Sequence, residues 1–139
     1  MINEKALMPG VEYRIKNGAN ISVQMVMDLI AQKAKQYDVP VSFESDQVTP
    51  DFISGLLGIK EDCCVLFHPQ NKKLYLRYVI RVNRQGTYVF IRVNKTNGFA
   101  LNSSFSAGAE ASRSVLAQYN KDESGWYTIV DDIFEEVFA

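Results

Sequence analysis

Apolar residues recur along this chain with two different periods, and the switches between them mark its elements. From Asn20 to about Tyr37, Val23, Val26, Met27, Ile30, Ala34 and Tyr37 return every three or four residues behind an Asn cap. That is the spacing of an amphipathic helix, and Pro40 stops it. Val39-Pro40-Val41-Ser42-Phe43-Glu44 then alternates apolar with polar and predicts a short strand. Proline lacks a donor, so the strand belongs at a sheet edge. Thr49-Pro50-Asp51 predicts the start of a second, short helix, with a Thr cap, a proline in the first position and an acid in the first turn. This helix carries Phe52, Ile53, Leu56 and Leu57, and Gly58 suits its end.

Three strands are expected next, at about Asp62–His68, Lys73–Val82 and Thr87–Lys95, joined by the turn-forming stretches Pro69-Gln70-Asn71-Lys72 and Asn83-Arg84-Gln85-Gly86. A four-residue loop in the second hairpin pairs Val82 with Thr87. It sets Leu76, Tyr78, Ile80 and Val82 beside Val89, Ile91 and Val93, which makes one face cleanly apolar. Beyond a turn at Asn97-Gly98, Ser104 to about Tyr119 reads as a helix with Ala107, Ala109, Ala111, Val115, Leu116 and Tyr119 on one side, weakened by Gly108. Lys121 to Gly125 reads as a loop. Thr128 to Phe138 is the sharpest amphipathic pattern, Ile129, Val130, Ile133, Phe134, Val137 and Phe138 against Asp131, Asp132, Glu135 and Glu136. Trp126 and Tyr127 fit a brief strand or the entry to this helix. The sum is a single α+β domain over residues 1–139, in which an antiparallel meander of about three to five strands packs against an N-terminal helix and C-terminal helices.

Composition adds bounds. At 139 residues, 47% hydrophobic and 22% charged, the chain has room for one core and is neither collagen-like, nor a disulfide framework, nor disordered. Residues 1–10 lack the apolar run of a secretory signal, and no segment has the length of uninterrupted apolar residues that a membrane span needs. A cytoplasmic protein with no membrane association is the expectation, and the Asn-x-Ser/Thr triplets at Asn20, Asn94 and Asn102 then read as chance matches.

Charge changes the picture more. The formal net charge of −1 is a cancellation between blocks. Residues 72–95 hold Lys72, Lys73, Arg77, Arg81, Arg84, Arg92 and Lys95 and no acid, whereas residues 121–139 carry a net of −5. The sheet face opposite the apolar one then displays Tyr75, Arg77, Arg81, Tyr88, Phe90 and Arg92. Arginines interleaved with aromatics suit an anionic ligand or a single nucleic-acid strand, whose bases stack and whose phosphates pair. The bland alternative is that a helix covers this face and its acids answer the arginines. An isoelectric point near 5.8 also disfavours a dedicated nucleic-acid binder.

Catalytic signatures are thin. Cys63 and Cys64 are adjacent, so in a strand they point to opposite faces and do not bridge each other. His68 is the lone histidine, and Cys63, Cys64 and His68 match no familiar zinc spacing. Phosphate-cradling, dinucleotide, Gly-x-Ser-x-Gly and His-Glu-x-x-His motifs do not occur. The paired acids of the terminal segment read as a solvated face, and the polar run Asn102 to Ser106 as a helix cap. No catalytic residue, metal site or cofactor is indicated, and an enzyme using Cys63 or Cys64 with His68 stays open only as a third reading. The reading is a non-enzymatic interaction module of adaptor, chaperone-like or regulatory type. It holds a protein partner or a second copy of itself, with Ile133, Phe134, Val137 and Phe138 as candidate partner contacts. The alternative is anionic-ligand or single-stranded nucleic-acid binding through Arg77, Arg81, Arg92, Tyr75, Tyr88 and Phe90.

Overall fold

The computed structural model describes residues 1–16, 20–70, 75–97 and 123–139, apart from the side chains of Phe52 and Asn97. Within them the chain runs β1 (Ile2–Asn3), a 3-10 turn (Glu4–Ala6), β2 (Met8–Lys16), α1 (Val23–Gln36), β3 (Ser42–Thr49), α2 (Phe52–Leu56), β4 (Glu61–Phe67), β5 (Leu76–Gln85), β6 (Tyr88–Asn97) and α3 (Ser124–Phe138). The α+β class holds. The sheet, however, has six strands in the order β1-β3-β4-β5-β6-β2, with β1 parallel to β3 and every other pair antiparallel. The expected meander β4-β5-β6 forms its centre. The two strands of the amino-terminal segment, which extend it into a mixed sheet, are the correction. The expected helix over 104–119, the turn lysines Lys72 and Lys73 and the polar run 102–106 lie outside the described residues.

Strand pairing follows turn chemistry. Gly86 sits at φ +65° and, with Thr87, makes a two-residue connection, so Gln85 pairs with Tyr88 and Val82 with Ile91. The four-residue loop expected from sequence is corrected to this tighter one, which lengthens the ladder. The register moves by an even number of residues, so the apolar face survives intact. One consequence is new: Arg81 stands directly opposite Arg92.

The helices start slightly away from the expected caps. Ser22 rather than Asn20 caps α1, accepting from the Met25 N–H at 3.2 Å. Asp51 rather than Thr49 caps α2, accepting from the Ser54 N–H at 2.7 Å, which holds its carboxyl below the usual range. Gly58, at φ +83°, closes α2 as expected: its N–H donates to Gly55 and the Ile59 N–H to Ser54, the paired bonds of a Schellman end. α3 begins four residues before the expected Thr128, so Trp126 and Tyr127 are helical.

Helices α1 and α3 cover one face. Val26, Ile30 and Ala34 from α1 and Tyr127, Val130, Ile133 and Phe134 from α3 meet Cys64, Leu66, Leu76, Tyr78, Ile80, Val89, Ile91 and Val93 from the strands. Polar tips are anchored: the Trp126 indole donates to Pro40 O and the Tyr127 hydroxyl to Leu76 O, each at 2.8 Å. On the other face, Ile2, Val48, Cys63, Val65 and Val79 form a second, smaller cluster with Leu7 and Phe67.

That second face is curled. Asn3 pairs at one edge of the sheet and Met8 at the other. Five strand spacings would separate those edges by about 24 Å if the sheet were flat. The five residues from Asn3 to Met8 reach only about 17–18 Å when extended, and three of them are wound into the 3-10 turn. The edges must bend toward each other around this crossing. Thr96 Oγ1 donates to Ala6 O at 3.1 Å and Asn94 Nδ2 to Met8 O at 3.1 Å, which fixes the crossing onto β6.

Candidate functional site

The arginines of the expected basic face do lie opposite the helices, but carboxylates from the amino-terminal third answer two of them. Arg81 is 5% exposed; it donates to Glu4 Oε1 at 3.1 Å and to Asn94 Oδ1 at 2.9 Å, with Glu61 Oε2 at 3.9 Å. Arg92 donates to Glu12 Oε1 at 3.0 Å, and this bond holds the Glu12 carboxyl below its usual range. Arg77 stacks over the Phe67 ring at 5.3 Å and Arg14 over Phe90 at 5.8 Å. Tyr88 is exposed and Phe90 half-buried. Tyr75 does not join them: it is buried with its ring edge-on to His68, whose ring also meets Trp126. Five of the six candidate residues therefore share a face, and the amino-terminal crossing, which carries Glu4, lies across it.

α3 packs on the face opposite Arg77, Arg81 and Arg92, and of the described basic residues of that block Lys95 lies on its side, at one cavity with Asp131, Asp132 and Glu135. Asp131 accepts from the Tyr78 hydroxyl and Glu135 from the Tyr13 hydroxyl, both at 2.9 Å. Glu136 accepts from the Tyr37 hydroxyl and pairs with Lys33 at 3.5 Å. Burial, and then the Glu135 bond, push the Tyr13 hydroxyl well above its ordinary pKa. The candidate partner contacts Ile133, Phe134 and Phe138 are buried in the core, with Val137 half-buried beside them.

The thiols are placed to be inert. Cys63 lies in the smaller cluster and Cys64 in the main core, on opposite faces as their adjacency required. Burial pushes both up to about 12, so the thiolate needed for nucleophilic or metal chemistry is scarce at neutral pH. His68 is engaged elsewhere: its Nδ1 accepts from the Gln70 N–H at 3.1 Å and its Nε2 faces Glu123 Oε2 at 3.9 Å. Among the described residues no group of three or more His, Cys, Asp or Glu side chains is arranged to hold a metal.

Two surface features were not anticipated. The first is the short helix α2 and its exit, where Ile53, Leu56, Leu57 and Ile59 are 71, 73, 75 and 54% exposed. Thr49, buried beneath, donates its hydroxyl to Asp51 O at 2.8 Å and Ile59 O at 3.0 Å and so pins the knuckle by its ends. The sequence shows four large aliphatics within seven residues, but not that their helix is too short to reach the core. The second is a cavity of about 400 Å³ where β2, β6 and α3 meet. Its floor is Tyr13, Tyr78, Val93 and Phe134, and its rim is Lys95, Asp131, Asp132 and Glu135. A bulge between Met8 and Val11 opens the strand side. There Gly10 passes so close to β6 that a Cβ would stand 1.9 Å from Val93 O.

Fold and surface thus define an α+β protein with helices on one face of a curled mixed sheet, an aliphatic knuckle at its β3–β4 connection and an acid-rimmed cavity at the β2 side. Comparisons with protein-family models, with curated proteins and with solved structures find no match to the chain. No helix among the described residues is long and apolar enough to cross a membrane.

Proposed function

We propose that this chain is a non-enzymatic interaction module that docks a protein partner through the α2 knuckle, a second copy of the chain being the first candidate. The observation that carries the reading is the contiguous exposure of Ile53, Leu56, Leu57 and Ile59. Single exposed aliphatics are ordinary on a protein surface, whereas a contiguous patch on a pinned, shape-holding element is the mark of a contact surface. A self-complementary patch of this kind suits a two-fold dimer. The buried thiols and the carboxylates beside Arg81 and Arg92 support the reading by weakening the nearest chemical alternatives. The anion-binding alternative loses support because Glu4, Glu12 and Glu61 already stand where a phosphate would have to bind.

Light scattering across a concentration series should give a mass that rises above the 15.7 kDa monomer, and an Ile53→Ser/Leu57→Ser variant should remain monomeric with unchanged circular dichroism. A photo-crosslinking residue in place of Leu56 extends the test to other proteins. A strict monomer whose position 56 forms no defined protein adduct in cells would overturn the proposal.

A further inference from the structure

We propose that the cavity between β2, β6 and α3 binds an organic cation, an ammonium or guanidinium group carried on an apolar stem. This site is separate from the α2 knuckle and does not depend on the reading given to that surface. Its volume, about 400 Å³, falls within the roughly 300–1,000 Å³ common to small-ligand pockets. Its chemistry is divided as such a ligand requires. Val11, Tyr13, Tyr78, Val93 and Phe134 give the lining an apolar part suited to a stem, and the rim carries three carboxylates against one ammonium, a formal −2.

The carboxylates are positioned rather than quenched. A neutral tyrosine hydroxyl holds one oxygen of Asp131 and one of Glu135 at 2.9 Å, which orients each group while leaving its charge and second oxygen for a ligand. Asp132, exposed on the same helix, adds a third carboxylate. The raised pKa of Tyr13 reports the same field: burial leads, and Glu135 and Asp131 both oppose its ionisation. The floor already accommodates a cation of the chain itself, because the Lys95 ammonium sits 5.9 Å from the centroid of the Tyr78 ring. That is the geometry of a cation–π contact. Lys95 is therefore a tethered competitor for the place a ligand cation would take.

An opposite-sign pair of variants tests this. Butylammonium and butylguanidinium serve as small probes, capped lysine and arginine peptides as the side-chain source, and butyrate as the anionic control, each titrated against the whole chain by NMR. The cations should shift resonances of Tyr13, Tyr78 and Lys95 while butyrate does not. Asp132→Asn should weaken binding by about fivefold, the scale of one partly exposed charge pair, and Lys95→Met should tighten it by a similar factor. Equal affinity for butylammonium and the lysine peptide would assign a free amine as ligand. A large gain from the flanking peptide would assign a basic side chain of another protein. Binding of butyrate in place of the cations, weaker cation binding in Lys95→Met, or no shift with any cation would each overturn the proposal.

Discussion

The buried arginine of β5 permits a test in which removing a charge is gentler than removing its partners. Arg81 is 5% exposed and opposed across the ladder by Arg92, so its charge is held by Glu4 at 3.1 Å and Glu61 at 3.9 Å. Glu4→Gln/Glu61→Gln keeps the shapes and strips both carboxylates. It strands a guanidinium beside another guanidinium, and breaking a buried pair in this way costs about 3–5 kcal/mol. The lower end applies here, about 3 kcal/mol, because the Glu4 side chain is 47% exposed and screening trims its share. Arg81→Met removes the most deeply buried of the three charges and leaves Glu4 and Glu61, whose side chains are 47% and 32% exposed, so it should cost less than the double variant. Only when both carboxylates are removed as well is the whole charged group replaced, a change that is close to neutral, within about 1 kcal/mol. The triple variant should then recover about 2 kcal/mol of the loss. Urea unfolding followed by the fluorescence of the single tryptophan, Trp126, reads all three. At a slope of about 1.5 kcal/mol per molar urea the double variant should unfold about 2 M earlier than the parent. If Arg81→Met proves as damaging as the double variant, the site is held by packing and the Asn94 bond, and the argument from charge burial fails.

Two further outcomes are expected from the titration behaviour of buried groups. Neither Cys63 nor Cys64 should react with a thiol reagent at neutral pH until the chain is unfolded, after which both should label; prompt labelling of either in the native protein would contradict their burial. The Tyr13 hydroxyl has a folded pKa above its unfolded one, so the stability it contributes is complete below about pH 10 and drains away as pH rises through the folded value. Tyr13→Phe should therefore show a shallower loss of stability on the alkaline side than the parent, and equal slopes would remove the Glu135 bond from the account.

Much of the architecture is readable in the chain because its signals are local. The helical spacing of Val26, Ile30 and Ala34, the stop at Pro40, the Gly58 end and the β4-β5-β6 meander all rest on neighbours within a few residues. β2 carries a strict alternation, Val11-Glu12-Tyr13-Arg14-Ile15-Lys16, that marks a strand once it is sought. β1 has only two residues and no periodicity at all. Missing that segment also hid the charge logic. Glu4 and Glu12 lie far from the arginines in sequence and reach them only because the chain crosses the sheet, so no reading of charge blocks pairs them. The cavity is of the same kind: Tyr13, Lys95 and Asp131 come from three distant stretches, and only the fold puts them around one space. The α2 knuckle fails for a different reason, since apolar spacing says that a helix has a sticky face and not whether anything covers it.

Both edges of the sheet are supplied by the first sixteen residues, and this imposes an order in time. Met8 finds its place beside Lys95, so β2 leaves the ribosome 87 residues before its neighbour exists. At about 5–20 residues per second the wait is roughly 4 to 17 s. During it the alternating β2 has no strand to pair with, although Ile2 meets its partner Val48 earlier. The centre of the sheet is made of consecutive strands and can form as they appear, while β2 is synthesised before all of them and seated last. A cell making this protein must keep that segment from other company in the meantime.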